Sequence, residues 1–204
     1  MDARLYLCAP ATAGRDVLRA ALSGGVDVLQ LREHDLGDDD LLRAAERFRD
    51  LAHAAGARFV LNDRPDLAER CGADGVHVGQ GDATPAEARA VMGPAALIGR
   101  STHDSEQGAA AAADPDVDYL SVGPVWATPT KPGRPAAGLG YVRWAAANVD
   151  KPWFAIGGID TGNVGQVVAA GATRIVVVRA LLGAGGAARA RELKEAVSRG
   201  AALA

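Results

Sequence analysis

The feature that most constrains this chain is an alternation, repeated eight times, between a short apolar run and a stretch with helical spacing. The runs cover residues 4–8, 26–31, 59–61, 75–78, 97–98, 119–122, 153–156 and 175–178. They lack the regular polar alternation of strands with one wet face. Continuous runs of this kind predict a parallel sheet covered by helices on both faces. The intervening segments supply those helices. Residues 16–23 are stopped by Gly24-Gly25, and residues 41–55 form an amphipathic helix closed by Gly56. Pro65 opens a short helix in the position that suits its missing N–H. Thr84-Pro85-Ala86-Glu87 is a capping box, and helices are expected over 105–113, 141–147, 163–170 and from Ala187.

A punctuation recurs ahead of the strands: Gly25-Val26-Asp27, Gly72-Ala73-Asp74, Asp116-Val117-Asp118 and Gly171-Ala172-Thr173. No linker or low-complexity segment breaks the pattern. At 204 residues and 49% hydrophobic content the chain can bury a sizeable core. The expectation is one α/β domain over residues 1–204, a closed (β/α)8 TIM barrel near its lower size limit. The competing architecture is an open doubly wound sheet, but no GxGxxG follows the first strand.

Net charge is -3 and the sequence pI about 5.8, so no basic field for nucleic acid or an anionic membrane is expected. Cys8 and Cys71 sit in apolar segments without CxxC spacing and read as buried thiols of a reducing compartment. The first residues lack a basic segment followed by a long apolar one, and no apolar run reaches membrane-spanning length. A cytoplasmic protein is expected.

In a barrel the site lies at the carboxyl ends of the strands. Those ends carry Gln30-Leu31-Arg32-Glu33-His34, Asn62-Asp63-Arg64, His77-Val78-Gly79-Gln80-Gly81-Asp82, Arg100-Ser101-Thr102-His103, Gly157-Gly158 and Val178-Arg179. Asp63 and Asp82 would stand at neighbouring strand ends, with Asn62 and Gln80 beside them. That oxygen-rich set suits Mg²⁺, which bridges phosphate groups. Gly157-Gly158 with Val178-Arg179 occupies the place where barrels bind phosphate through backbone N–H groups. After the sixth strand, the segment 123–133 holds three prolines and two glycines, so it reads as a stiff loop. It displays Thr128, Thr130 and Lys131, donors that suit phosphate oxygens, although a solvated connector would show the same residues. His77, inside an apolar strand, reads as a satisfied core histidine, and His53 as a solvated helix residue. His103 can cap the next helix or reach the mouth, and the sequence leaves both open. No nucleophile, base and orienter stand together, so covalent catalysis is disfavoured. A metal-bound diphosphate as leaving group points to displacement at carbon or to phosphoryl transfer.

Along essentially its whole length the chain resembles the thiamine-phosphate synthase (thiamine-phosphate pyrophosphorylase) family. The motifs that carry the resemblance are Gln30-Leu31-Arg32-Glu33, Asn62-Asp63, Gly75-Val76-His77-Val78-Gly79-Gln80, Val122-Gly123-Pro124 with Thr128-Pro129-Thr130-Lys131, and Ala155-Ile156-Gly157-Gly158-Ile159. Ile98-Gly99-Arg100-Ser101-Thr102-His103-Asp104, Lys151-Pro152-Trp153-Phe154 and Val177-Val178-Arg179-Ala180 are similar to the actinobacterial branch. The resemblance implies that an aminopyrimidine-methyl diphosphate loses pyrophosphate, assisted by Mg²⁺, and that the nitrogen of a thiazole phosphate captures the resulting cation.

It also implies roles. Asp63 and Asp82 would hold Mg²⁺. Gln30, Arg32, His34, Asn62, Ser101, Thr130 and Lys131 would surround the pyrimidine diphosphate, with Lys131, Ser101 and Arg32 expected at the reacting atoms. Thr128, Gly157, Gly158, Val178 and Arg179 would hold the thiazole phosphate, the last two mainly through backbone N–H groups. The implied partners are these small molecules, with no nucleic acid and no membrane; a homo-oligomer is compatible with the sequence. Two positions depart from the family pattern: His34 stands where lysine is usual, and Arg179 where many members have serine. A metal-free thiazole tautomerase shares the barrel, and a non-catalytic phosphate-binding barrel is the other class to weigh. Neither needs the complete diphosphate half formed by Asp63, Asp82 and Lys131.

Overall fold

The structure, a computed structural model, describes residues 1–127 and 135–202. The alternation in the sequence becomes a closed barrel in which every neighbouring strand pair is parallel. Its strands are β1 (Leu5–Ala9), β2 (Val28–Leu31), β3 (Arg58–Asn62), β4 (Gly75–Val78), β5 (Leu97–Thr102), β6 (Tyr119–Val122), β7 (Trp153–Ile156) and β8 (Ile175–Val177). The helices between them are α1 (Arg15–Ser23), α2 (Asp38–Ala54), α3 (Pro65–Arg70), α4 (Pro85–Met92), α5 (Ser105–Ala113), α6 (Gly138–Asn148), α7 (Val164–Ala169) and α8 (Gly186–Ala201). A 3-10 turn, Arg179–Leu181, stands between β8 and α8 and was not foreseen.

Two differences from the sequence reading have clear causes. Residues 26 and 27 precede β2 because Asp27 turns its carboxylate onto the backbone of β1. β5 runs on through Arg100-Ser101-Thr102 because its pairing with β6 continues to Thr102↔Val122. Polar side chains there do not end the strand: Ser101 faces a cavity, Thr102 meets the Tyr141 hydroxyl of α6 and Arg100 donates to the Gly79 carbonyl.

Strand periodicity divides the core in two. Leu5, Leu7 and Ala9 pack outward with Leu29, Leu31, Leu61 and the apolar faces of the helices. Tyr6, Cys8, Val28, Val60, Tyr119, Phe154 and Val176 form a separate cluster made of strand residues alone, the filling of the barrel. Its floor is aromatic. Tyr6 and Tyr119 each meet Phe154 edge-on, with ring centroids 5.5 and 5.7 Å apart. Filling the lower barrel in this way leaves the carboxyl end open for polar side chains.

The recurrent punctuation proves to be a clamp at the amino-terminal rim. Asp27, just ahead of β2, accepts backbone N–H groups of Arg4 and Leu5 and meets Lys194 of α8 at 2.6 Å. Asp74, ahead of β4, accepts from Phe59 and meets His53 of α2 at 2.8 Å. Asp118, ahead of β6, accepts from Ile98 and meets Arg89 of α4 at 2.6 Å. His53 is exposed on α2 as expected, and its imidazole also joins a clamp. At the fourth place, ahead of β8, Thr173 offers its carbonyl to Arg4.

Candidate active site

A cavity of about 320 Å³ opens at the carboxyl end of the barrel. Its wall includes Gln30 from β2, Arg32 beyond it, Asn62 from β3, His77 from β4, Ser101 from β5, Ser121 from β6, and Gly157, Gly158, Val178 and Arg179 beyond β7 and β8. Eight of the residues expected at a site are thus brought together. Gln30, Asn62 and Ser101 are only 5, 7 and 6% exposed. Among the described residues, the side chains of Gln30 and Asn62 have no hydrogen-bond partner. Their amides open on the cavity, so this pair can bond a ligand there.

The opposite wall is built from backbone. Gly157 and Gly158 both take positive φ, +110° and +71°. A Cβ on Gly158 would also stand 3.0 Å from Trp126 Cβ, so the turn requires glycine on two counts. Asn163 Nδ2 donates to the Gly158 carbonyl at 2.8 Å and holds the turn. Trp126 N–H donates to the Gly157 carbonyl and Val125 N–H to that of Ile156, so the segment after β6 leaves along this wall. Val178 ends the strand pairing with φ -117° and ψ -82°, and the exposed Arg179 begins the 3-10 turn.

Asp63 lies directly after β3 with φ +62°, the one positive φ outside glycine among the described residues. Strain of this sort costs on the order of 1–3 kcal/mol and concentrates at functional positions. Its carboxylate stands 3.7 Å from His34 Nδ1, so His34 turns toward Asp63 and not toward the acidic start of α2. Asp38 of that helix start is instead bound by Arg64, whose guanidinium holds the carboxyl below its usual range. Asp82 is exposed beyond β4, and its Oδ2 accepts the Gly79 N–H at 2.9 Å. His34, Asp63 and Asp82 stand at the rim and do not line the cavity itself. Thr128, Thr130 and Lys131 lie outside the described residues. Among the described residues no three His, Cys, Asp or Glu side chains cluster as a ready-made metal site. Two carboxylates, one of them held in a strained backbone, are nonetheless a donor set that fits Mg²⁺, which keeps waters and takes substrate phosphates as further ligands.

Cys8, His77, His103 and Ser121 also line the cavity and were not among the expected site residues. His77 is buried as expected, but it is tied to the site. Its Nε2 lies 3.0 Å from Ser101 Oγ and 3.4 Å from Ser121 Oγ, and its Nδ1 lies 3.2 Å from the Tyr119 hydroxyl. Tyr119 in turn meets the Tyr6 hydroxyl at 3.1 Å. Gly99 makes this possible, since a Cβ there would overlap the Tyr119 ring and His77 Nδ1. His103 reaches the mouth, where its Nδ1 lies 2.7 Å from the Gly123 carbonyl. Parity in the strands could have found Ser121, the one polar residue in Tyr119–Val122 and the register partner of Ser101.

A family model described as thiamine monophosphate synthase matches residues 5–181. The chain belongs to that family. It is 57% identical over 203 residues to a thiamine-phosphate synthase of Thermus thermophilus, covering 96% of this chain and 97% of the relative. Identity to the thiamine-phosphate synthase of Mycobacterium tuberculosis is 52% over 198 residues, covering 90% and 89% of the two chains. Among solved structures, thiamine phosphate pyrophosphorylase from Pyrococcus furiosus superposes with a TM-score of 0.86 at 28% identity, over 97% of this chain and 96% of that one. The chain is thus an enzyme of thiamine biosynthesis, a transferase on a TIM barrel, with small molecules as its substrates.

Proposed function

We propose that the cavity joins 4-amino-2-methyl-5-hydroxymethylpyrimidine diphosphate to 4-methyl-5-(2-hydroxyethyl)thiazole phosphate, releasing pyrophosphate. The observation that carries this reading is the division of the mouth. Buried, partnerless amides of Gln30 and Asn62 suit a hydrogen-bonding heterocycle, while the Gly157-Gly158 turn and the 3-10 turn opposite suit a phosphate. Gln30 and Asn62 hold the aminopyrimidine edge, with the Ser101 hydroxyl beside them. Arg32 and Lys131 bring positive charge to the diphosphate. Gly158, Val178 and Arg179 fix the thiazole phosphate, with Thr128 assisting, so that its ring nitrogen faces the pyrimidine methylene.

The C–O bond between that methylene and the diphosphate breaks, and its electron pair leaves on the diphosphate oxygen. The thiazole nitrogen lone pair then forms the new C–N bond, and no proton need move. Preorganised cations beside the departing oxygens favour this charge separation more than they favour the bound substrate. Asp63 and Asp82 would hold Mg²⁺, which when bound supplies further neutralisation of the diphosphate. With both substrates and Mg²⁺ present, thiamine phosphate and pyrophosphate should appear in equal amounts, and neither should appear when one substrate is omitted. Pyrophosphate released at an undiminished rate without the thiazole would mean a hydrolase, and the reading would fail.

A further inference from the structure

The chain of buried hydroxyls beneath the cavity has only two possible polarities. Tyr6, Tyr119, His77 and Ser101 are 1, 0, 8 and 6% exposed, so protein groups must satisfy them. Burial pushes both tyrosine hydroxyls above their ordinary range, so each keeps its single proton. A neutral imidazole carries one N–H and one lone pair. If protons run outward, Tyr6 donates to Tyr119, Tyr119 to His77 Nδ1, and His77 Nε2–H to Ser101 Oγ. If they run inward, Ser101 donates to Nε2, Nδ1–H to Tyr119, and Tyr119 to Tyr6.

The end of the chain decides between them. Among the described residues, the Tyr6 hydroxyl has Tyr119 as its sole hydrogen-bond partner. Inward polarity would leave the Tyr6 proton buried without an acceptor, a cost that biases the equilibrium on the order of tenfold or more. Outward polarity satisfies each proton, and the last one it frees is that of Ser101, at the cavity wall.

We infer that His77 is a positioning residue acting through Ser101: the two tyrosines fix its Nε2–H tautomer, so Ser101 accepts from the imidazole and turns its own hydroxyl proton into the cavity as a donor. The tautomer would therefore determine whether the substrate meets a donor or a lone pair at this point. Ser121, opposite Ser101 in register and 3.4 Å from the same nitrogen, shares the Nε2–H weakly. The consequence for turnover rests on the proposed placing of Ser101 against the pyrimidine diphosphate. The tautomer does not.

The test has two arms on the full-length enzyme. Nitrogen-15 NMR of labelled histidine, with the His77 signal identified by its loss in His77→Gln, should show Nε2 protonated and Nδ1 bare. Tyr6→Phe should leave that tautomer in place, because the buried Tyr119 proton then has Nδ1 as its one remaining acceptor, whereas Tyr119→Phe should give a mixture of tautomers. In kinetics, Tyr119→Phe should lower kcat about three- to tenfold with the KM for thiazole phosphate unchanged, and it should add nothing in a Ser101→Ala background. Nδ1 protonated in the unaltered enzyme overturns the relay, even if every variant misfolds. Losses that multiply in the double variant overturn its action through Ser101. Ser101→Ala without loss of turnover would instead strike the placing of Ser101, and the NMR result would still judge the tautomer.

Discussion

Asp63 shows most sharply how a single residue is committed to the site. Its left-handed backbone follows β3 directly, where a less tolerant residue would suffer more strain. Together with Asp82 it forms the carboxylate pair we assign to Mg²⁺, and replacing either with Ala should cut turnover by at least ~10²-fold. Steady-state rates with and without EDTA check this, and activity indifferent to both treatments would remove the metal from the account. Arg179 makes a contrasting case. It is exposed at the start of the 3-10 turn, so its backbone can serve a phosphate whatever its side chain does. Arg179→Ser should raise the KM for thiazole phosphate by no more than about threefold, roughly the loss of one exposed charged contact. A larger rise would give the guanidinium a direct role.

At the scale of elements, the clamps bind a helix and two strands to one carboxylate at the rim remote from the cavity. Asp118 accepts from Ile98 N–H and from Arg89, whose side chain is 18% exposed. Asp118→Ala should lower stability by roughly 1–3 kcal/mol, read by urea denaturation, with both KM values unchanged. A change in KM would mean that the two ends of the barrel are coupled. The punctuation ahead of β2, β4, β6 and β8 was legible in the sequence as a turn into those strands, but the clamp was not. The partners Lys194, His53 and Arg89 lie on helices far along the chain, and only closure of the barrel brings them to the rim. Strand identity and order were legible because the runs are mostly apolar and lack regular polar alternation. The end of β5 was not, since Arg100-Ser101-Thr102 reads as a loop until β6 is there to pair with it. Tyr6 and Tyr119 were hidden in the same way: their side chains count as core in sequence, and their hydroxyls find each other only across the barrel.

For the whole molecule, burial of all three tyrosines sets a limit on stability at high pH. Tyr6, Tyr119 and Tyr141 are each raised by desolvation, Tyr141 to about 12. A phenol that ionises near pH 10 when unfolded but resists ionisation when folded binds more protons in the native state. Stability should therefore be unaffected by these groups below about pH 9 and fall as pH climbs through and beyond about 10. Tyrosinate absorbance should rise only together with loss of the far-ultraviolet signal, and Tyr141→Phe should flatten the decline. The same closed architecture gathers eight strand ends into one mouth, and our central proposal is that this mouth is divided between two ligands. The most direct measurement is the pair of KM values in Asn62→Ala and Gly158→Val. Asn62→Ala should raise the KM for the pyrimidine diphosphate about tenfold and leave that for thiazole phosphate alone. Gly158→Val should do the reverse. If both variants raise the same KM, or each raises both equally, the mouth is not divided as described.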